Sequence, residues 1–403
     1  MRKKISKIIL FFVFFIQVVY ASELNLTSEK YVLYNMNDNM VLTSKDENVK
    51  TSIASLTKIM TIIVSIENID DYDKKIKITK DMLKDIDWDV SVVGFKVGES
   101  VSYNDLLYGA MLPSGADAVN ALAISISGNK KDFINLMNEK VQELGLKNTH
   151  FDNVVGLYSE KNYSSAYDMA QILIYSLKNP KFKSVFETKS YTFSNGKKTK
   201  STIAYYNEKN KDDISYITGS KTGYIKKAGL CLASTATLHD VNYLLVTLNA
   251  FTSESAAHVK DHVKTYTYYD KNYGYKNIIN EDDIIVSLKT KYAKENNINI
   301  KSDINKNLYL KNDFDRSKIK YDYDGLDTVS YFTKPGSKLG HVKVLYGETV
   351  LEEFDLIYNE KLTFSLISFI IINEYYLIAI GVIILLILIS IFIKQKRREI
   401  SSK

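Results

Sequence analysis

The chain is poor in the residues that build disulfide frameworks and metal centres. Its 403 residues include one cysteine and five histidines. A single thiol excludes an internal disulfide, and the apolar run around Cys231 predicts a buried, unreactive side chain. His258 and His262 have the i,i+4 spacing of metal ligands, but no acidic motif accompanies them. We therefore interpret them as a solvated or packed pair, and we expect neither a metal nor another cofactor.

A net positive charge is also absent from the body of the chain, although the formal net charge of the whole is +6. Residues 1–21 contribute +4 and residues 394–403 contribute another +4, which leaves −2 for the residues between them. A nucleic-acid-binding domain needs a basic face on its folded part. The distribution of charge therefore argues against a nucleic-acid partner.

The two ends of the chain carry long apolar runs. Residues 1–21 combine a basic start, an apolar stretch and small residues near the end, which predicts a secretory signal peptide; an uncleaved anchor is the alternative. Residues 375–393 are nineteen uncharged residues that reach about 28 Å as a helix and predict a transmembrane span. The apolar residues 362–372 before it are expected in the membrane interface. The basic residues 394–403 are expected in the cytoplasm, which places the body of the chain on the extracytoplasmic side.

Between these ends the pattern predicts two folded parts. Residues 22–275 indicate one α/β (α+β) domain, in which three successive runs predict an antiparallel meander: 215–224, 229–237 and 242–248. Asp132 is the expected N-cap of one of its helices. Residues 270–281 show no period, and no regular element is expected there. Residues 282–360 contain short alternating runs that predict a small all-β module.

Ser55 and Lys58 are the first candidates for chemistry. They stand three residues apart at the start of a predicted helix, so their side chains share one face. Most residues from 59 to 66 are apolar, so a helix over them would be apolar on nearly all sides, which predicts a helix surrounded by protein. A lysine placed there loses solvation, and a serine beside an amine that can be neutral is a candidate nucleophile.

Two further motifs accompany this pair. Ser114 stands in a predicted turn before a helix, and Lys221, Thr222 and Gly223 form a Lys-Thr-Gly motif in a predicted strand. Ser-x-x-Lys, a second serine motif and Lys-Thr-Gly together mark active-site-serine enzymes of the penicillin-recognising class. A plain helix N-cap is the structural alternative for Ser114.

The chain resembles the low-molecular-mass penicillin-binding proteins, specifically the D-alanyl-D-alanine carboxypeptidases, from about residue 30 to 248. The resemblance implies a penicillin-recognising serine transpeptidase/β-lactamase-like domain with an antiparallel sheet, and it is weaker in the β-rich module. It rests on the following segments: residues 53–61, 94–99, 105–109, 148–151, 164–170 and 221–224.

The family resemblance implies an enzyme that removes the terminal D-alanine from peptidoglycan stem peptides and is acylated by β-lactams. Ser55 would attack the carbonyl of the penultimate D-alanine. Lys58 would take the serine proton, and Ser114 would relay a proton to the leaving amine. The implied partners are a stem peptide ending in D-Ala-D-Ala, β-lactam antibiotics and the membrane.

The resemblance also implies how the substrate is held. Lys221 and Thr222 would bind its terminal carboxylate, and Gly223 would let its backbone lie against the strand. The backbone N–H groups of Ser55 and Tyr224 would form the oxyanion hole.

Ala116 departs from the family pattern, in which the second motif usually has asparagine third. This substitution removes an amide that the resemblance places beside the catalytic lysine. Asp117 follows in sequence, but on a helix its side chain points about 100° away. Two alternatives stay open: a β-lactamase, and a non-catalytic wall-binding homologue.

Overall fold

The computed structural model describes residues 24–84, 86–87, 90–254 and 256–401. The predicted signal peptide, residues 1–21, lies outside the described residues. The chain divides into two compact units, and the division falls between Lys271 and Asn272.

The first unit is built on a five-stranded antiparallel sheet. Its strands, including four short ones outside that sheet, are β1 (Ser28–Asn35), β2 (Met40–Lys45), β3 (Lys75–Lys77), β4 (Ser100–Ser102), β5 (Ser190–Thr192), β6 (Lys198–Lys200), β7 (Ile217–Ile225), β8 (Gly229–Leu238) and β9 (Val241–Ala250). The sheet has the order β2-β1-β9-β8-β7. β1 and β2 form a hairpin, and the predicted three-stranded meander is confirmed. β7, with the Lys-Thr-Gly motif, is an edge strand.

Eight helices complete the described part of this unit. They are α1 (Thr57–Glu67), α2 (Tyr103–Met111), α3 (Ala116–Ser127), α4 (Lys130–Glu143), α5 (Ala166–Leu177), α6 (Pro180–Glu187), α7 (Thr202–Asn210) and α8 (Ala257–Asn272). Every residue of α1 from Thr57 to Ile66 is buried, as its all-round apolar sequence predicts. Its side chains join those of α2, α3 and α5 in one apolar core.

Helix α8 covers the opposite face of the sheet. Ala233 of β8 belongs to the core around α1. The next residue, Ser234, shares a hydrogen bond of 2.7 Å between its Oγ and Nδ1 of His262, on α8. Successive strand residues point to opposite faces, so α1 and α8 lie on different sides. His262 Nε2 contacts Thr247 Oγ1 at 3.0 Å, and both His258 and His262 are buried. The pair is packed in the interior; it is not a solvated pair.

Two of three local expectations are corrected and one is confirmed. The N-cap of α4 is Asn129, not Asp132, because the Asn129 side chain accepts the bond from the Asp132 N–H at 2.9 Å. Ser114 is not a helix cap: the N-cap of α3 is Gly115, without a side-chain capping bond. Cys231 is fully buried, as predicted, and burial raises the pKa of its thiol to about 12.

The second unit is rich in strands and ends in helices. Its elements are β10 (Tyr273–Ile279), β11 (Ile284–Lys291), β12 (Asn297–Lys301), β13 (Lys306–Lys311), β14 (Ile319–Gly325), β15 (Thr328–Ser330), β16 (Ser337–Tyr346), β17 (Thr349–Tyr358), α9 (Leu366–Ile372) and α10 (Glu374–Ser401). They form small sheets in the orders β10-β13, β12-β11-β15 and β14-β16-β17. The expectation of no regular element in residues 270–281 is wrong, because β10 pairs with β13 there.

Helix α10 contains the predicted transmembrane run. Among the described residues it is the helix, over Glu374–Arg398, that is long and apolar enough to cross a membrane. Its apolar side chains are exposed along its whole length. This exposure is consistent with a membrane anchor.

Asp261 links α8 to the start of β1 and offers a test of the first unit's stability. Its carboxylate accepts bonds from the N–H of Thr27 at 3.0 Å and from the N–H and hydroxyl of Ser28 at 2.8 and 2.6 Å. We predict that Asp261→Ala lowers the free energy of unfolding by roughly 3 kcal/mol, because buried donors lose their acceptor. Urea unfolding in detergent measures it. Glu208→Ala, which removes an exposed carboxylate, is the control; equal effects of both variants would contradict the prediction.

Candidate active site

Ser55 and Lys58 meet at the start of α1. Ser55 lies in a 3-10 turn, Ala54–Leu56, which runs directly into α1 and keeps both side chains on one side. The Lys58 amine donates to Ser55 Oγ at 2.8 Å and to the carbonyl of Val155 at 2.8 Å. Lys58 is fully buried, whereas Ser55 is half-buried and remains accessible. The structure therefore brings together the pair that the spacing predicts.

Two glycines fit closely around the turn that carries Ser55. Ala54 in this turn has φ +47°. A Cβ on Gly156 would lie 2.0 Å from the Ala54 carbonyl oxygen, and a Cβ on Gly223 would lie 3.0 Å from the Ser55 backbone nitrogen. The turn is therefore held between a loop on one side and β7 on the other. The missing side chain of Gly223 makes room for the protein's own backbone, in addition to the role toward substrate that the resemblance implies.

The loop on the first side is organised by Asn153. Its side-chain oxygen accepts bonds from the N–H groups of Gly156 at 2.7 Å and Leu157 at 3.0 Å, and its amide donates to the Leu157 carbonyl at 3.0 Å. These bonds fix the backbone around Val155, whose carbonyl receives the Lys58 amine. Asn153 thus positions the second acceptor of the buried lysine.

Burial controls the ionisation of Lys58. Desolvation lowers its pKa well below the usual value, and the nearby positive charge of Lys221 lowers it further. A neutral amine 2.8 Å from a serine hydroxyl can accept the serine proton. The geometry and the electrostatics therefore both prepare Ser55 for nucleophilic attack.

A second serine–lysine pair lies opposite the first. The Lys221 amine donates to Ser114 Oγ at 2.9 Å and to the Thr222 carbonyl at 2.8 Å. Ser114 adopts φ +64° in the turn between α2 and α3, a conformation that is uncommon for residues other than glycine. Burial lowers the pKa of Lys221 to about 7. The amine can thus change its charge near neutral pH.

Thr222 has a partner that the sequence did not reveal. Its hydroxyl donates to Thr202 Oγ1, at the start of α7, at 2.6 Å. Tyr224 lies two residues further on and exposes 61% of its surface. Because β7 is an edge strand, its outer edge is available for a bound peptide.

Ala116 and Asp117 point in different directions, as predicted. Asp117 accepts bonds from the N–H groups of Val93, Gly94 and Phe95 at 2.9, 2.8 and 3.1 Å. Ala116 lines a cavity of about 180 Å³ to which Val155 also contributes. Asp117 therefore has a structural role, and the position of the missing amide borders open space.

The arrangement contains three contributors that sequence reasoning missed. Thr202 stands twenty residues before its partner Thr222, and the Val155 contact is made by a backbone carbonyl. Neither leaves a side-chain pattern. The Asn-x-x-Gly spacing of Asn153 and Gly156 is the signal that could have suggested a tight loop.

Comparison with known proteins agrees with this geometry. The family described as D-alanyl-D-alanine carboxypeptidase, peptidase family S11, matches residues 17–252. The D-alanyl-D-alanine carboxypeptidase DacF of Bacillus subtilis strain 168 is 30% identical over 347 residues, which cover 82% of this chain and 85% of that protein. DacA of Escherichia coli K12 is 34% identical over 248 residues, 55% of this chain and 59% of that protein.

Solved structures give the same result. Penicillin-binding protein 5 from Haemophilus influenzae superposes with a TM-score of 0.61 at 25% identity, and the match covers 83% of this chain and 97% of that chain. The Streptomyces K15 DD-transpeptidase superposes with a TM-score of 0.55 at 30% identity, over 60% of this chain and 97% of that chain. The fold is that of the penicillin-recognising serine enzymes, as predicted. The chain belongs to the D-alanyl-D-alanine carboxypeptidase family, whose members are serine-type hydrolases.

Gly156 allows a direct test of the packing around Ser55. We predict that Gly156→Ala slows acylation of Ser55 by labelled penicillin by roughly a hundredfold, because its Cβ would displace the Ala54 carbonyl and the turn that carries the nucleophile. The rate of covalent labelling measures this effect. Gly98→Ala is the matched control: Gly98 also has positive φ, but its Cβ would meet no atom within 4 Å. Equal labelling rates in the two variants would contradict the prediction.

Proposed function

We propose that this protein is a serine-type D-alanyl-D-alanine carboxypeptidase that removes the terminal D-alanine from peptidoglycan stem peptides. The observation that carries the proposal is the 2.8 Å contact between Ser55 Oγ and the buried amine of Lys58, whose pKa is held well below its usual value. Family membership supports the same reaction.

The first chemical step is acylation. Ser55 Oγ attacks the carbonyl carbon of the penultimate D-alanine while its proton passes to the neutral Lys58 amine. The C–N bond to the terminal D-alanine then breaks. Ser114 gives its proton to the leaving amine and recovers one from Lys221, which donates to it at 2.9 Å. Free D-alanine departs and an ester remains on Ser55.

The second step is hydrolysis of that ester. Before this step Lys58 releases to solvent the proton that it took from Ser55, and Lys221 regains one, so that both amines return to their starting states. A water molecule then gives a proton to Lys58 and attacks the acyl carbon, and Ser55 Oγ leaves and regains that proton from Lys58. The D-alanine-shortened peptide is released. A β-lactam follows the first step, but its opened ring stays attached to the acyl group, so no small leaving group departs.

Substrate orientation is assigned to β7. Protonated Lys221 and the hydroxyl of Thr222 hold the terminal carboxylate. The Thr222 hydroxyl donates to Thr202 in the free protein, and it turns its proton to the carboxylate when substrate binds. The N–H groups of Ser55 and Tyr224 serve as the oxyanion hole. A Cβ built on Gly223 would lie 3.0 Å from the Ser55 nitrogen, so β7 packs directly against the turn that carries Ser55. This close packing supports the assignment of the oxyanion hole.

The proposed location of the enzyme is the outer face of the cell membrane. Residues 1–21 act as a signal peptide, 22–275 as the catalytic domain and 282–360 as the β-rich module. Residues 375–393 span the membrane, and residues 394–403 form a basic cytoplasmic tail. The exposed apolar surface of α10 supports the anchor, and the basic residues after it support the orientation.

Two assays on the full-length protein in detergent test the reaction. We predict that it releases D-alanine from a peptide ending in D-Ala-D-Ala and forms a long-lived adduct with labelled penicillin, and that Ser55→Ala loses both activities because the nucleophile is absent. Ser52→Ala, at a serine of the same segment that contacts neither lysine, is the control and should retain both.

The outcome separates the enzyme from its alternatives. Rapid turnover of penicillin without D-alanine release would identify a β-lactamase. Penicillin labelling that persists in Ser55→Ala would contradict the assignment of Ser55 as the nucleophile. Absence of both activities in the native protein would contradict the proposal and favour a non-catalytic wall-binding protein.

A further inference from the structure

An aromatic cluster lies at the end of the second unit from which the membrane helix leaves. We call it the aromatic patch, and it comprises Tyr292, Tyr331, Phe332, Phe364 and Phe369. The ring centroid of Tyr292 lies 5.7 Å from that of Phe332 and 5.3 Å from that of Phe369. Tyr331 lies 5.2 Å from Phe364, which lies 6.1 Å from Phe369. Phe332 and Tyr331 are nevertheless 59% and 42% exposed.

Backbone hydrogen bonds join the patch to the segment before α9. The N–H of Lys294 donates to the Thr363 carbonyl at 2.8 Å, and the N–H of Ser365 donates to the Tyr292 carbonyl at 3.1 Å. The N–H of Tyr331 donates to the carbonyl of Lys291, at the end of β11, at 3.0 Å. Three separate segments of the unit therefore present their aromatic side chains on one fixed surface.

Helix α9 continues this apolar surface. Its residues Leu366, Ile367, Ile370 and Ile371 have the spacing of one helical face and are 62%, 72%, 47% and 63% exposed. Phe369, between them in sequence, packs against Tyr292 and Phe364. The helix thus rests on the aromatic patch through one side and exposes aliphatic side chains on the other.

The link from α9 to α10 is short and hydrogen-bonded. Asn373 alone separates the two helices. Its side-chain amide donates to the Phe369 carbonyl at 2.8 Å, and its own carbonyl accepts from the N–H of Leu377 at 3.0 Å. The exposed face of α9 therefore lies directly beside the start of the apolar helix that we propose to span the membrane.

Lysines border the same surface. Lys291 and Lys294 flank Tyr292, Lys334 follows Phe332 by two residues, and Lys361 precedes Phe364 by three; all four are exposed. Three acids also border it in sequence: Glu295, Glu360 and Glu374. The Glu295 carboxylate accepts the N–H of Thr363 at 3.1 Å, and the lysines outnumber the acids. An interfacial membrane surface combines three features: aromatic rings at the level of the lipid headgroups, aliphatic side chains just below them, and lysines beside anionic lipids.

We propose that the aromatic patch and the exposed face of α9 form a second membrane-contacting surface, which inserts into the headgroup region of an anionic bilayer beside α10. The proposal rests on the membrane anchor described above. It assigns lipid, and not a second protein, to this surface, because the surface is continuous with the span and carries lysines at its border. The β-rich module is then seated on the membrane through three segments, in addition to the covalent link to α10.

Fluorescence of the full-length protein in lipid nanodiscs tests this inference. Phe332→Trp places a reporter on the patch, and emission of the native tryptophan is subtracted with the unsubstituted protein. With brominated anionic lipid we expect the reporter emission to be quenched and blue-shifted. Glu348→Trp is the control, because it lies in the turn at the other end of the β16–β17 hairpin, about 30 Å along ten-residue strands. Its emission is expected to stay unquenched.

The lysines are tested in the same assay. Replacement of Lys291, Lys294, Lys334 and Lys361 by glutamine is expected to reduce quenching of the Phe332→Trp reporter in anionic nanodiscs and to have no effect in zwitterionic ones. Equal quenching of both reporters, or none at position 332, would overturn the inference. A different result is a reporter that becomes shielded from water as the protein concentration in detergent is raised, with no quenching by bromolipid. That result would assign the patch to a second copy of the chain and would also overturn the inference.

A separate measurement keeps the two membrane proposals apart. Alkaline carbonate extraction of cell membranes tests α10, because a spanning protein stays in the pellet. Retention together with an unquenched reporter would overturn the interfacial surface alone. Release into the supernatant would contradict the anchor on which it rests.

Discussion

The interior position of the Lys58 amine is the constraint on which the catalytic unit depends. The amine is fully buried and donates to two neutral oxygens, Ser55 Oγ and the Val155 carbonyl. Lys221 is also fully buried and likewise donates to a serine hydroxyl and a carbonyl. Among the described residues no carboxylate pairs with either amine. A buried lysine without a counter-ion favours its neutral form, so the fold accepts a local cost in stability to obtain a base beside the nucleophile.

The position of the nucleophile depends on close backbone packing. Ala54, directly before Ser55, has positive φ, and so does Ser114 itself. Each such residue lowers the stability of the fold by on the order of 1–3 kcal/mol. The Ser55 turn lies between the Asn153 loop and β7, where a Cβ on Gly156 would stand only 2.0 Å from the Ala54 carbonyl oxygen and a Cβ on Gly223 would make a tight contact of 3.0 Å with the Ser55 nitrogen. The surrounding core, in which α1 is buried on all sides, holds this strained geometry in place.

The sequence predicts most of the fold and the contact within the Ser55–Lys58 pair for identifiable reasons. Three apolar runs in succession indicate the meander, α1 is apolar on nearly all sides, and Ser55 and Lys58 are three residues apart on a helix. Local competition explains the errors: Asn129 caps α4 in preference to Asp132, and β10 forms because β13, about thirty residues away, supplies its partner. Contacts such as Lys58 to the Val155 carbonyl and Thr222 to Thr202 arise only after the chain has folded, and backbone acceptors leave no mark in the side-chain pattern.

The ionisation state of Lys58 tests the central claim most directly. The full-length protein, labelled with ¹⁵N at the lysine side chains, gives a resonance that Lys58→Arg identifies by its loss. The account predicts that this nitrogen takes up a proton only at pH values well below the ordinary lysine range, because burial and Lys221 lower its pKa. An ammonium signal at pH 7 that persists into the alkaline range would contradict the account.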